Sequence, residues 1–289
     1  MNLRYLYIQV YNLNLTLLSI KRIYQENFLE SRVLFDKKQA KFWINELVAW
    51  LFCSKKEYID YTLFEKKHQE LASLLIDLLK QEGFSEKDAN TKTTFFFENL
   101  SNLFEILLQD LNAILEFDPA AKSKSEVLLA YPGFFATCVY RIANQLHQLE
   151  SVILSRLIAE YAHSKTGIDI HPGATIGKRF FIDHGTGIVI GETAIIGDNV
   201  KIYQGVTLGA LSVSKDKQST KRHPTIQDNV IIYANATILG GKTVIGKNAL
   251  IGGNVWITSS IPENSMVFHK SEIIVKNKEE FPEAINFII

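Results

Sequence analysis

Two histidines of this sequence, His184 and His223, lie next to charged residues in a pattern that suits acid–base chemistry. His184 directly follows Asp183, and Asp169 precedes it by fifteen residues. An imidazole that a carboxylate orients through one ring nitrogen keeps its other nitrogen free to act as a base. Such a base takes a proton from an alcohol within about 3 Å. The sequence is compatible with His184 as a general base that Asp169 orients. It is also compatible with His184 as a histidine in a turn that only pairs with a neighbouring carboxylate.

The second histidine belongs to the tripeptide Arg222-His223-Pro224. An arginine grips a carboxylate with two parallel hydrogen bonds, and a histidine beside it holds a substrate or stabilises charge that develops during a reaction. Glu192 is a further charged residue near these motifs. An Arg-His pair on a loop is also compatible with simple solvation, so the tripeptide alone does not decide between the two interpretations.

Other chemistries fit the sequence poorly. A zinc site would have to use His171, His184 and His223, but the nearest two are thirteen residues apart and no pair has the short spacing of metal ligands. We therefore predict no metal. The chain also contains no phosphate-binding glycine loop, no nucleotide-binding βαβ pattern and no serine in a nucleophile-elbow context.

The candidate residues lie within a stretch, residues 168–257, in which an aliphatic residue returns at nearly every sixth position. A period of six fits neither a helix nor a simple strand alternation. It is typical of a β-solenoid, in which each unit is a short strand plus a corner. Three strands give a coil of about 18 residues, which would bring Asp169 and His184 to adjacent coils. A sandwich with evenly spaced strands is the alternative. The anchors are Ile170, Ile176, Ile182, Ile190, Ile196, Ile202, Leu208, Ile226, Ile232, Ile238, Ile245, Ile251 and Ile257.

Two irregularities interrupt the six-residue period, and each carries a candidate histidine. The step from Ile182 to Ile190 has eight residues, and residues 209–223 form a polar segment without an apolar anchor. In a rigid repeat scaffold, departures from the repeat are where binding and chemistry concentrate.

Residues from about 41 to 164 show helical periodicity instead. We expect Gly83 to end one helix, and Ser85 with Asp88 to begin the next as a capping box. Asp118-Pro119 predicts another helix start, with a last helix running to about Tyr161. The predicted α+β organisation has a helical domain at 1–165, a β-helical domain at 166–262 and a tail at 263–289.

Composition limits the classes of protein. The 289 residues are 47% hydrophobic, with 31 Lys plus Arg and 31 Asp plus Glu. This balance gives no indication of nucleic acid or of an anionic membrane surface as a partner. The two cysteines match neither a disulfide framework nor a metal knuckle, so a reducing cytoplasm is the expected location. No apolar run reaches transmembrane length, and no signal-peptide cleavage site follows the apolar N-terminus.

Four motifs resemble the serine O-acetyltransferases of the hexapeptide-repeat acyltransferase superfamily. They are Asp169-Ile-His-Pro-Gly, the block from Asp183-His184-Gly-Thr-Gly to Gly191-Glu192-Thr193, Gly205-Val-Thr-Leu-Gly209 and Arg222-His223-Pro224. The resemblance implies a left-handed parallel β-helix that forms trimers, with a helical domain that pairs trimers into hexamers. It implies transfer of acetyl from acetyl-CoA to the L-serine hydroxyl, which is the first step of cysteine synthesis.

The same resemblance assigns roles residue by residue. His184 is the general base and Asp169 its orienting partner, and Arg222 and His223 hold the serine carboxylate and assist at the reacting centre. Asp118 and Asp183 bind the serine ammonium. Glu192 is a further substrate-binding residue. The residues expected to contact coenzyme A are Gly209, Ala210, Ala234, Lys247 and Gly253. The family usually continues from its Val-Thr-Leu block with Gly-Gly-Thr-Gly-Lys, whereas this chain has Gly209-Ala210-Leu-Ser-Val.

The C-terminal residues suggest a partner protein. In this family, a terminal isoleucine with an aromatic residue two positions before it enters the active site of O-acetylserine sulfhydrylase, and Phe287 with Ile289 match that pattern. Three other functions stay open: an acetyltransferase for a sugar or antibiotic hydroxyl, a non-catalytic assembly subunit, and a metal-dependent hydratase.

Overall fold

Helices form the first part of the chain and short strands the second. The computed structural model describes residues 17–27, 35–211 and 220–270. The helices are 17–27 (α1), Lys37–Leu51 (α2), Tyr61–Glu82 (α3), Glu86–Glu98 (α4), Leu100–Phe117 (α5), Lys124–Ala130 (α6), Pro132–Gln148 (α7) and Val152–Thr166 (α8), with a 3-10 turn at Lys56–Ile59. The first seven strands are Asp169–Ile170 (β1), Thr175–Ile176 (β2), Phe181–Ile182 (β3), Val189–Ile190 (β4), Ile195–Ile196 (β5), Lys201–Ile202 (β6) and Thr207–Gly209 (β7). The others are Thr225–Ile226 (β8), Ile231–Ile232 (β9), Thr237–Leu239 (β10), Val244–Ile245 (β11), Leu250–Ile251 (β12), Trp256–Ile257 (β13) and Met266–Val267 (β14).

The chain divides into two compact units. One consists of residues 1–104 and 142–161, and the other of residues 105–141 and 162–289. The change from helix to strand lies between Thr166 and Asp169, as the sequence predicts. The three-part division at 165 and 262 stays a prediction, since α5, α7 and α8 each contribute residues to both units. In the described residues, no helix combines the length and the apolar character that crossing a membrane requires.

The predicted helix caps of the first unit are present. Gly83 ends α3 with a left-handed backbone (φ 107°), and the hydroxyl of Ser85 accepts the backbone N–H of Asp88 at 3.1 Å at the start of α4. Asp36 and Asp60 accept backbone N–H groups in the same way at the starts of α2 and α3. Such caps satisfy N–H groups that have no partner within the helix.

The strands form a three-sided parallel prism. Sheet A has the order β1-β4-β7-β10-β13, sheet B β2-β5-β8-β11 and sheet C β3-β6-β9-β12-β14. Strands β1 to β13 enter sheets A, B and C in turn, so three strands make one coil. All thirteen aliphatic anchors are buried in one continuous core. The solenoid prediction is therefore confirmed, and an antiparallel sandwich is excluded because every strand pairing in this region is parallel.

One corner of the prism, between sheets B and C, is lined by an asparagine ladder. Each amide donates to the amide oxygen on the next coil, from Asn199 to Asn229 (2.8 Å), to Asn248 (3.0 Å) and to Asn264 (2.9 Å). All four residues have φ between 56° and 61°. Asparagine tolerates this left-handed conformation better than most residues, so it makes the corner while also linking the coils.

A buried ion pair ties α5 and α7 to the first coil. Nε of Arg141 lies 2.5 Å from the Asp110 carboxylate, and both side chains are almost fully buried. Arg141 also donates to the carbonyl oxygen of Gly177 at 2.6 Å, and Asp110 accepts the backbone N–H of Phe180 at 2.9 Å. Because every polar atom of the pair finds a partner, the burial is tolerated, and the middle of α5 and the middle of α7 are held against the prism.

Two helix predictions are wrong. Asp118 does not start a helix: α5 ends at Phe117, a turn follows, and α6 begins at Lys124 with the Ser123 hydroxyl capping Glu126. The helix expected to reach Tyr161 is interrupted between α7 and α8, where Glu150 has φ 65°. In both places local capping by serine or a left-handed residue decides the helix boundary, which apolar periodicity does not show.

Candidate active site

A cavity of about 480 Å³ lies where β3 ends, within the second unit. Three predicted site residues, Asp118, Asp183 and His184, line it together. Its other lining residues are Ala120, Ala130, Tyr131, Pro132, Gly133 and Ile182. Two carboxylates beside an imidazole suit a small molecule that carries both a cationic group and a hydroxyl.

The eight-residue step between β3 and β4 displays His184. The two residues added to the usual six are accommodated by His184 (φ 57°) and Gly185 (φ 90°), both with left-handed backbone. The side chain of His184 is 71% exposed, and its Nε2 lies 3.7 Å from Oδ1 of Asp183. A left-handed residue other than glycine is uncommon, and such conformations are enriched at functional sites. The irregularity in the repeat thus turns an imidazole out of the prism.

Asp118 is held in a fixed orientation at the other side of the cavity. Its Oδ1 accepts the backbone N–H of Ala120 at 2.8 Å, and its Oδ2 accepts the hydroxyl of Tyr131 at 2.7 Å. The hydrogen bond to Asp118, together with burial, raises the pKa of Tyr131 to about 12. Sequence reasoning missed Tyr131 as a site residue; the Tyr-Pro-Gly break at residues 131–133 was the available signal.

A second group of predicted residues surrounds the chain segment that returns to the prism before β8. Arg222 forms an ion pair with Glu192, and Thr193 bonds both Arg222 and His223 through its hydroxyl. His223 is only 8% exposed. The glycine at position 191 is required here, since a Cβ on it would lie 2.1 Å from the His223 ring.

The environment of His223 favours its neutral form. Burial is the main cause and the Arg222 guanidinium the second, and together they lower the pKa of His223 to about 4, although Glu192 opposes them. A neutral imidazole has one N–H donor and one acceptor nitrogen. His223 is therefore suited to hydrogen bonding near neutral pH rather than to carrying a positive charge.

Asp169 is not joined to His184 in this chain. It begins β1 opposite Val189, and one of its carboxylate oxygens lies within 4.8 Å of a ring nitrogen of His163. Among the described residues, His184 forms an ion pair within 4.0 Å with Asp183 but none with Asp169. The orienting role of Asp169 stays a prediction.

The predicted residues divide between two corners of the prism. Asp183 and His184 follow a strand of sheet C and precede one of sheet A, whereas Glu192 and the Arg222-His223 segment lie between sheets A and B. The three histidines of the zinc alternative are divided in the same way. His171 follows a strand of sheet A and lies at the corner of His223, whereas His184 lies at the other corner. Within the described part of the chain, His171, His184 and His223 do not form a ligand cluster.

The residues expected to contact coenzyme A are also distributed over the corners. Ala234 and Gly253 are neighbours on adjacent coils at the corner that carries His184; a Cβ on Gly253 would lie 3.0 Å from the carbonyl oxygen of Ala234. Gly209 ends β7 and Ala210 follows it, at the corner of Arg222. Lys247 lies at the third corner, with its Nζ 3.8 Å from Asp228. One chain alone does not bring these five residues into one groove.

Comparisons with known proteins point to one family. The family model described as "Serine acetyltransferase, N-terminal" matches residues 58–139. A plasmid-encoded serine acetyltransferase of Synechococcus elongatus is 52% identical over 153 residues, which are 51% of this chain and 48% of the relative. The Bacillus subtilis serine acetyltransferase is 50% identical over 133 residues, 46% of this chain and 59% of the relative. The chain thus spans about half the length of the curated relatives that it matches.

Solved structures extend the similarity to both units. Isoform 3 of the Entamoeba histolytica serine acetyltransferase, in complex with cysteine, is 35% identical, with a TM-score of 0.73 over 82% of this chain and 85% of that one. Serine acetyltransferase 1 of the same organism, in complex with L-cysteine, is 33% identical, with a TM-score of 0.73 over 86% and 96%. The Neisseria gonorrhoeae enzyme in complex with serine is 29% identical, with a TM-score of 0.56 over 84% and 97%.

Proposed function

Because the chain belongs to the serine acetyltransferase family, we propose that it transfers the acetyl group of acetyl-CoA to the hydroxyl of L-serine. The products are O-acetyl-L-serine and CoA, and the reaction is the first step of cysteine biosynthesis from serine. The observation that carries this proposal is the cavity in which His184 lies beside the carboxylates of Asp118 and Asp183.

The two carboxylates account for recognition of the serine ammonium. Asp118 is oriented by Ala120 and Tyr131, and Asp183 lies beside His184 at the same cavity. A cation between two carboxylates gains from both, and its binding relieves their mutual repulsion. With the ammonium held there, the serine hydroxyl reaches toward His184.

Replacing Tyr131 by phenylalanine is expected to weaken serine binding. The Asp118 carboxylate would lose one of its two orienting hydrogen bonds, so KM for serine should rise about three- to tenfold, the range for one hydrogen bond, while kcat changes about twofold or less. Steady-state kinetics measure both, with Tyr61→Phe as the matched control because Tyr61 is 74% exposed. An unchanged KM would mean that Tyr131 does not orient Asp118 for binding.

His184 supplies the proton transfer. As the serine oxygen attacks the thioester carbonyl carbon, His184 takes the hydroxyl proton, and the carbonyl oxygen becomes an oxyanion. When the intermediate collapses, the carbon–sulfur bond breaks and the protonated His184 returns the proton to the leaving CoA thiolate. The Nε2–H of His223 is the donor that stabilises the oxyanion, and Asp169 orients His184.

Arg222 is the group for the serine carboxylate. A guanidinium suits two parallel hydrogen bonds to a carboxylate, and Glu192 already holds Arg222 in place through an ion pair. Glu192 therefore acts on the substrate through Arg222 in this proposal, rather than by direct contact.

The division of these residues between two corners supports an assembly of several chains. His184 lies at one corner and Arg222 with His223 at another, so a prism beside this one would bring the missing group to each site. We propose a homotrimer or a dimer of trimers on this ground. Acetyl-CoA would then lie between prisms, with Ala234 and Gly253 of one chain and Gly209 and Ala210 of the next along it, and with Lys247 near its phosphates. No step of this chemistry needs a metal.

Two further proposals concern cellular context. Cys53 and Cys138 are both free thiols, which supports a reducing cytoplasm as the location. Ile289, with Phe287, is proposed to enter the active site of O-acetylserine sulfhydrylase; both residues lie outside the described part of the chain.

A thiol-release assay tests the proposed function directly. Purified full-length chain should release CoA from acetyl-CoA when L-serine is added, at a rate well above that without an acceptor. L-Threonine, glycine and a hexose serve as control acceptors. L-Threonine changes the hydroxyl, glycine lacks it, and a hexose lacks the ammonium and the carboxylate. CoA release with the hexose and none with serine would reject serine as the substrate.

A further inference from the structure

The side chain and backbone of Thr193 hold the Arg222-His223 segment through four contacts. The Thr193 hydroxyl oxygen accepts the backbone N–H of Arg222 at 2.9 Å and that of His223 at 3.1 Å. The same oxygen lies 2.9 Å from Nδ1 of His223, and the backbone N–H of Thr193 donates to this Nδ1 at 3.0 Å. A hydroxyl has two acceptor positions and one hydrogen, so the remaining hydrogen of Thr193 points to Nδ1.

These contacts determine the tautomer of His223. A backbone N–H only donates, so Nδ1 accepts and carries no hydrogen. The single hydrogen of the neutral ring is then on Nε2. Protonation of the ring would put a hydrogen on Nδ1, directly opposite the N–H of Thr193. The contacts thus oppose both the other tautomer and the charged form.

On balance, burial and the charged groups around the His223 ring also favour its neutral form. Arg222 and Lys221 disfavour a charged imidazole, Glu192 favours one, and burial is the largest effect. Nζ of Lys221 donates to the carbonyl oxygens of Thr193 (2.9 Å) and His223 (2.7 Å), so its ammonium is bound to this segment's backbone.

We propose that Thr193 is a positioning residue that fixes His223 as a neutral Nε2–H donor and prevents it from acting as a base. The proposal rests on the proposed function only for the identity of the acceptor, the thioester oxygen as it becomes an oxyanion. It separates the roles of the two histidines: His184 accepts and returns the proton, and His223 only donates a hydrogen bond. Such a donor, already oriented before the reaction, requires no reorganisation when charge develops.

A pair of Thr193 variants tests the positioning role. Thr193→Val keeps the shape and the backbone N–H but removes the hydroxyl, whereas Thr193→Ser keeps the hydroxyl. Loss of one oxyanion donor costs about 10²–10³ in kcat, so a donor that is only misplaced should cost about 10–10² for Thr193→Val. KM for serine should change about threefold or less, and Thr193→Ser should retain most of kcat. A Thr193→Val enzyme with unchanged kcat would overturn the proposal.

Nitrogen NMR of protein labelled with ¹⁵N-histidine tests the tautomer without any enzymatic reaction. The signals of His223 are identified by their loss in His223→Gln. We expect an unprotonated Nδ1, a protonated Nε2 and no titration between about pH 5.5 and 8. A hydrogen on Nδ1, or a titration within this range, would overturn the proposal. If the protein does not acetylate serine at all, the proposed function fails while the NMR result still decides the tautomer.

Discussion

His184→Ala should reduce CoA release from acetyl-CoA and L-serine by about 10³-fold, within the 10²–10⁴ that a positioned base contributes. The imidazole is the only histidine side chain among the described residues that line the cavity with Asp118 and Asp183. Without it the serine hydroxyl keeps its proton during attack and is a poor nucleophile. Initial rates of thiol release at saturating serine give the loss in kcat.

The backbone of His184 requires a second variant. At φ 57° an alanine is strained, whereas asparagine adopts this conformation readily. His184→Asn therefore removes the base while preserving the turn, and we expect it to be as inactive as His184→Ala but with an unchanged melting temperature. His68→Ala, in α3, makes the same chemical change at a histidine without a proposed role and should retain activity. A His184→Asn protein with normal turnover would refute the assignment of the base.

Gly191→Ala should lower kcat by about 10²-fold, although position 191 carries no chemistry of its own. Its Cβ would lie 2.1 Å from two atoms of the His223 ring, and the ring is held on its other side by Thr193. The ring must therefore move, and a displacement of about 1 Å at a catalytic group costs about 10² in rate. The glycine at 191 has an ordinary backbone conformation, so the effect comes from the clash and not from strain in φ.

The double variant Gly191→Ala/His223→Ala separates this steric cause from general damage. Overpacking costs about 1–3 kcal/mol, so Gly191→Ala alone should lower the melting temperature. His223→Ala removes the ring with which the new Cβ would clash. In a protein that carries His223→Ala, the stability cost of Gly191→Ala should therefore largely disappear. Thermal unfolding of the four proteins in the cycle measures the coupling. Equal costs in both backgrounds would show that the alanine acts elsewhere than on His223.

The prism and the helices differ in how well the sequence predicts them, because their patterns have different physical origins. In the prism, each coil must place an aliphatic residue in the same narrow interior, so the six-residue period predicted strands β1 to β13, each of which contains one of the thirteen anchors, and all the anchors are buried. Helix boundaries depend on single capping residues. The sequence pattern at Asp118-Pro119 looked like a cap, but Ser123 with Glu126 forms the better one.

The site was only partly visible in the sequence. The eight-residue step indicated His184, since two residues added to a regular coil must leave the prism. Tyr131 and Thr193 were not recognised, because their partners, Asp118 and His223, are 13 and 30 residues away in sequence. A hydroxyl in an ordinary sequence context carries no signal of its own until the fold provides a partner.

By itself the sequence determined the prism, the order of helix and strand, and the histidine at the interruption of the repeat, because these depend on local period and side-chain type. Only the tertiary structure decided how the candidate residues are grouped: His184 lines a cavity with Asp118, Arg222 and His223 lie at another corner, and, in the part of the chain that the structure describes, Asp169 lies within 4.8 Å of His163 and forms no ion pair with His184. It also placed His223 where burial and the Arg222 guanidinium lower its pKa to about 4. The grouping of the residues and the environment of His223 both depend on which coils and loops come into contact. The period of the sequence and the types of its residues do not specify those contacts.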